Sequence, residues 1–453
     1  MVRKQGAFFC AARRFIVPGL ALVAFSLSAL LYLSHNPEYY TVLNIFGVPL
    51  QPKKYPFIDL QYVLAGIECW NKGLDVYLID PCDALGRLHA YSPIWLRLNF
   101  LPLQGWTMLL GVCLDCTFLL SLALLPPFKN GREFLILLLA TLSPPVAYAL
   151  ERANVDVLIF IFVLVAVIIW LWRWPARLLA YVTIFLAGIL KFYPIVLLGL
   201  AVRERVRTFV TVTAIGGLLL VLLIYQFHTE LTAMLPNIPQ GGYFSDMFGA
   251  RNLPDGLSLT FRSYRGPGST VIARSAWITV LTWTVMIILS ALQILAVVRW
   301  REFRRDFLTL ATADQTLCVC GAAIICGCFF VGQSLAYRQI FLLFSFPALL
   351  SLWRQSSDRR IRHFSAQFIG LLLFLLWQGE MTWNVALSAE LQFWTSPKEA
   401  VLIHAASWFV REVVWWRVTS VLVGILVCFF VESHIGHQLE RRLISRTNRI
   451  EVR

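Results

Sequence analysis

The chain has 453 residues, 58% of them hydrophobic, a formal charge of +14, and a mean hydropathy of +0.70. Only 14% of residues are charged, against about 25% in a soluble domain, and no soluble core could hide this much apolar surface. A bilayer can, so the composition excludes a soluble enzyme. Nucleic-acid binding is excluded too, because the basic residues fall in short clusters between apolar runs, as positive-inside loops do.

In chain order, the first apolar run covers about 14–34 and reads as a retained helix. It is long enough to span, and no small-x-small cleavage site follows it. A polar loop, 35–92, comes next and carries Glu38, Asp59, Glu68, Asp75, Asp80, Asp83, Arg87 and His89. Within it a helix is expected from Asp59 to Asn71. Spans are expected at about 104–126, 133–148 and 154–172. The run 178–202 has basic residues at both ends, Arg177 and Arg203, and Lys191-Phe192-Tyr193-Pro194 in its middle. One crossing would strand a basic cluster on the wrong side, and proline breaks helices. This run is therefore read as a hairpin of two short helices with Lys191 at the tip. Further spans follow at 208–226, 272–298, 314–333, 339–353, 364–380 and 413–432. A second polar loop spans 227–271, and the stretch 381–411 is read as holding an interfacial helix. The tail 434–453 is basic and amphipathic.

The reading is an all-α polytopic membrane protein with about twelve hydrophobic segments: ten full spans plus one broken helical hairpin. It has one transmembrane domain (1–433) and a short tail (434–453), with both termini cytoplasmic at the inner membrane. The clusters Arg203/Arg205/Arg207, Arg299/Arg301/Arg304/Arg305 and Arg359/Arg360/Arg362 then share the cytoplasmic side.

Arg152, Lys191 and Arg338 would sit at outer helix ends or breaks, against that bias. Either an anionic partner such as a lipid phosphate calls for them, or they pair internally, Arg152 with Asp156 or Glu151 for instance. A carboxylate beside such a cluster suits glycosyl transfer, with the lipid phosphate leaving and the carboxylate taking the acceptor's proton. No cofactor is required, and a divalent ion, while chemically compatible, is not favoured. Asp59 is read either as this base or as an acid at a helix N-terminus. Asp80 and Asp83 either hold the loop with Arg87 or ligate a cation. Tyr91 and Tyr337 are candidates for substrate contact or for an interfacial aromatic belt. Asp115, within a span, is assigned a helix–helix hydrogen bond. Of ten cysteines, those in apolar runs, including Cys318, Cys320, Cys326 and Cys328, read as packing residues. Cys69 and Cys82 are the pair open to a disulfide.

Several stretches resemble the polytopic GT-C glycosyltransferases, in particular the bacterial polyprenyl-phosphate-mannose-dependent α-mannosyltransferases (glycosyltransferase family 87). They are Asp59 within Phe57–Tyr62, Asn71–Tyr77, Tyr91–Trp95, Glu151–Asp156, Leu190–Pro194 and Tyr337–Leu342. Ala153 stands where the family more usually has glycine, Ser92 replaces a proline, and the Asp80–Asp83 element is extra. The resemblance implies a GT-C-like fold and a hexosyltransferase, using a polyprenyl-phosphate sugar, with mannose the sugar the family uses, and a lipid-linked or cell-envelope acceptor. It implies Asp59 as base and Lys191, Arg338 and Arg152 as donor-phosphate contacts. Asp75, Tyr77, Tyr91, Asn154 and Tyr337 would be substrate contacts, with no metal ligand; loop 227–271 is expected to cover the site and to add Arg251 and Asn252 as substrate contacts. The rival function is a transporter or flippase of lipid-linked glycans. It is disfavoured because the polar residues crowd toward one face and no half of the chain repeats the other.

Overall fold

The computed structural model describes residues 2–35, 38–39, 56–100, 104–239, 241–243, 247–265, 269–392, 397–433 and 435–436. The tail 437–453 and residues 40–55 of the first loop lie outside the described residues. The helices in order are α1 (Val2–Leu33), α2 (Ile58–Asn71), α3 (Thr107–Ser121), α4 (Gly131–Thr141), α5 (Pro144–Glu151), α6 (Val155–Trp170), α7 (Ala176–Lys191), α8 (Val206–Gln226), α9 (His228–Met234), α10 (Asn252–Arg265), α11 (Ser269–Arg299), α12 (Arg301–Leu308), α13 (Thr312–Val331), α14 (Phe346–Gln355), α15 (Arg359–Gln392) and α16 (Pro397–Val431). Longer 3-10 helices run over Tyr193–Arg203 and Ala336–Ser345. Two short strands, β1 (Met247–Phe248) and β2 (Ser334–Leu335), pair antiparallel and tie the second polar loop to the end of α13.

The protein is membrane-embedded and mostly helical. Among the described residues, seven helices are long and apolar enough to cross a bilayer, or eight if the pair α4–α5, bent by 43°, counts as one span. That is fewer than the ten full spans the hydropathy pattern leads one to expect. Part of the shortfall is one of length: α6 has 16 residues, about 24 Å at 1.5 Å per residue, short of the roughly 30 Å hydrocarbon layer.

The hairpin is present. α7 rises to Lys191, the chain reverses at Phe192 (φ 30°), and the 3-10 helix Tyr193–Arg203 returns beside it. Its two basic ends meet as expected: Arg177 Nη1 lies 3.0 Å from Glu204 Oε1. This basic end also holds Arg13, which donates to the Lys129 carbonyl, and the pairs Arg354–Glu133 and Arg304–Glu432. Both ends of the described chain therefore emerge there. The first polar loop sits at the opposite end, called here the loop end.

Two expectations change. The stretch 381–411 is not a separate surface helix, because α15 continues to Gln392 and α16 begins at Pro397. Asp115 is buried within α3, yet neither carboxylate oxygen has a hydrogen-bond partner, so the expected helix–helix bond is absent. The cysteines of α13 are buried and unlinked, as packing residues. Gly111 lets α3 approach α2, since a Cβ there would collide with the Phe57 ring.

Candidate functional site

The loop end is built around α2, which begins one residue before the expected start. Phe57 precedes it in the left-handed region (φ 58°) and no side chain caps it. Its first turn is held instead by the turn after α5: the Phe57 amide donates to the Glu151 carbonyl at 2.8 Å, and the Asp59 amide to that of Arg152 at 3.2 Å. The loop after α2 folds back and is pinned by a disulfide, Cys69–Cys82, with Cα atoms 5.9 Å apart. Closing a loop of this size contributes about 3 kcal/mol. Asp80 lies within 4.8 Å of both sulfurs, but disulfide sulfurs are not thiolates and the trio is no metal site. Burial and the neighbouring Asp83 push the Asp80 carboxyl up to about 6. Trp95 Nε1 donates to the Leu190 carbonyl at 3.1 Å, fixing this loop to the hairpin break.

The Asp59 carboxylate is buried and saturated with donors. Oδ1 accepts from Arg87 Nη1 at 2.9 Å and from Arg152 Nη1 at 3.1 Å; Oδ2 accepts from Asn154 Nδ2 at 2.6 Å. Burial pushes its pKa up, but Arg152, Arg87 and the Asn154 amide outweigh this and hold it below the ordinary carboxylate range. A helix-dipole role alone does not account for three side chains converging on Asp59. Arg152 pairs with Asp59, not with Asp156 or Glu151.

Asn154 is the hinge between two carboxylates. As N-cap of α6 its Oδ1 accepts from the Asp156 amide at 2.9 Å and from Lys191 Nζ at 3.2 Å. Asp156 is fully buried. Its Oδ1 lies 2.8 Å from Lys191 Nζ and accepts from the Tyr193 hydroxyl at 2.6 Å, and its Oδ2 lies 3.5 Å from Arg338 Nε. The rings of Tyr91 and Tyr337 stand 5.1 and 5.4 Å from the Lys191 ammonium, within cation–π range. These two tyrosines are thus inward-facing partners of a buried cation, not members of an interfacial belt. Arg87 also grips Asp83 through two nitrogens, as expected of a loop-holding pair. Among the described residues, the salt-bridged network has four cations, Arg87, Arg152, Lys191 and Arg338, against three carboxylates, Asp59, Asp83 and Asp156.

Seven of the eleven expected site residues meet here: Asp59, Arg152, Asn154, Lys191 and Arg338 directly, and Tyr91 and Tyr337 through their rings. The other four bond elsewhere. Asp75 accepts from the Tyr77 amide, and Tyr77 packs on Trp70 and His89. Arg251 is exposed and pairs with Asp255. Asn252 is buried, donating to the Met247 carbonyl at 2.9 Å and accepting from Gln333 at 3.0 Å, which braces the β1–β2 junction. Arg87, Asp156 and Tyr193 belong to the network and were not singled out as site residues. Asp156 and Tyr193 lie inside the quoted Glu151–Asp156 and Leu190–Pro194 stretches, which was the available signal.

Backbone strain gathers at the same place. Among the described residues, four non-glycine positions have positive φ, and three of them, Phe57, Ala153 and Phe192, flank Asp59, Arg152/Asn154 and Lys191. Such strain persists where surroundings over-determine it. Ala153, at φ 42°, occupies the position where the resemblance expects glycine, which is the residue that conformation favours.

In comparisons with known proteins, no family model, no curated protein and no solved structure matches the chain.

Proposed function

We propose that this protein is a GT-C-type membrane glycosyltransferase that moves a hexose from a polyprenyl-phosphate donor to a lipid-linked or envelope acceptor at the loop end. The observation that carries this reading is the convergence of Asp59, Arg87, Arg152, Asn154, Lys191, Asp156 and Arg338 from separate chain segments into one buried network with a surplus cation. That surplus suits a phosphate, whose oxygens can replace carboxylate partners of Lys191, Arg338 and Arg152. In the reaction the acceptor hydroxyl attacks the anomeric carbon, the bond from that carbon to the phosphate oxygen breaks, and the lipid phosphate leaves with the electron pair. The hydroxyl proton passes to Asp59. Its Oδ2, which holds only the Asn154 amide, keeps a lone pair for it, and the flanking arginines keep the carboxylate ionised and ready to accept. A divalent ion is not needed where cations already hold the leaving group.

The Cys69–Cys82 disulfide supports an oxidising compartment at the loop end, and the arginine clusters support the cytoplasm at the other. Together they favour an inner-membrane protein with both termini inside.

Membranes carrying wild type or Asp59→Asn are assayed with labelled polyprenyl-phosphate sugars. Wild type transfers, and the variant is about 10²–10⁴-fold slower, the usual contribution of a general base. Equal rates would remove Asp59 from the mechanism. No transfer from any donor, with lipid-linked glycan still crossing the membrane, would make the protein a flippase instead.

A further inference from the structure

A cavity of about 410 Å³ lies at the basic end, remote from Asp59. Its position follows from α6, which runs from Asn154 in the site to Leu171 in the cavity wall. The volume falls within the roughly 300–1,000 Å³ of small-molecule pockets. One wall is the stripe Leu164, Val167, Ile168 and Leu171 of α6, spaced as one helix face.

The lining is also unevenly charged, with Arg14, Lys129 and Arg354 against Glu133 and Asp314. Both acids have internal partners. Glu133 accepts from Arg354 Nη1 at 2.5 Å and from the Lys129 backbone amide at 2.7 Å, and Asp314 Oδ2 accepts from the Ser351 hydroxyl at 2.7 Å. The Arg14 guanidinium and the Lys129 ammonium form no salt bridge among the described residues. Beside Arg14, α1 turns bare apolar side chains outward, Phe15 and Leu20 among them. A ligand entering here passes along a lipid-facing helix.

We infer that this cavity binds one anionic membrane lipid, its phosphate held by Arg14 and Lys129 and its proximal chain laid against the α6 stripe. The occupant needs both parts. A soluble anion would leave the apolar wall unfilled, and a neutral lipid would leave the lining's surplus positive charge unanswered. The site is separate from the proposed transfer chemistry and does not depend on it.

The test uses the purified full-length protein in detergent, with lipid retention read by native mass spectrometry. The probes are phosphatidylglycerol, phosphatidylcholine and inorganic phosphate. The expected result is preferential retention of phosphatidylglycerol. Arg14→Gln and Lys129→Gln should each weaken retention on the order of fivefold, the effect of one basic group near an anionic lipid surface. Both residues are exposed, so neither change threatens the fold. Ala313→Trp, which fills the cavity and keeps every charge, should abolish retention. Equal retention of the two lipids overturns the inference, as does retention unchanged by Ala313→Trp, which would mean surface attraction alone. Inorganic phosphate displacing the lipid at equal concentration would make the occupant a soluble anion and also overturn it.

Discussion

The two ends of the bundle use the same residue types in opposite ways. At the loop end, Asp59 and Asp156 are almost inaccessible and each is gripped by two cations, with Asn154 joining the two sets. At the basic end, Glu133 is as deeply buried but has one cation, Arg354, and lies beside an open cavity. A closed network fixes geometry at the cost of desolvating its charges; an open one leaves water or a ligand within reach of them. The first arrangement suits chemistry that needs aligned groups, the second suits binding.

The largest test of this contrast is Asp156→Asn. It leaves Lys191 and Arg338 facing a neutral amide in a buried site, and the folded state should lose about 3–5 kcal/mol in a denaturant titration of the detergent-solubilised protein. A loss below that of an exposed ion pair would mean water reaches the network and that it is not closed. Replacing Cys69 and Cys82 together by serine should cost about 3 kcal/mol. A reducing agent should lower the wild-type melting temperature and leave the variant's unchanged. Glu133→Gln at the other end should cost less, about 1–3 kcal/mol, because Arg354 can turn to water; its side chain is already 29% exposed. A loss equal to that of Asp156→Asn would erase the difference between the ends. The smallest effect has the opposite sign. Ala153→Gly should stabilise by about 1 kcal/mol, because glycine bears φ 42° without the Cβ clash. A destabilised variant would show that the methyl group packs better than the backbone is strained.

Much of the architecture was legible in sequence. The start of α2 was placed within one residue, at Ile58. The hairpin followed from charge and a helix breaker together: two basic ends cannot face opposite sides, Pro194 breaks the run, and Arg177 and Glu204 duly meet. The span count differs in part because hydropathy registers apolar residues and not helix length, so a 16-residue α6 scores like a full crossing. The site was legible in its members more than in its pairing. Arg152 was recognised, but Asp59 as its partner lies 93 residues away, and periodicity carries no information across that distance. Arg251 and Asn252 are expected as substrate contacts in a loop that covers the site, while packing buries one of them under Met247 and Gln333.

The sequence by itself determined that this protein lives in a membrane and where its chain reverses. Composition and local charge settle these, because each depends on the transfer of a segment between water and lipid. Only the tertiary structure decided that Asp59 and Asp156 share one network through Asn154, that Cys69 meets Cys82, and that an amphipathic cavity opens at the far end. Those depend on which helices pack side by side, and packing joins residues that no local pattern links.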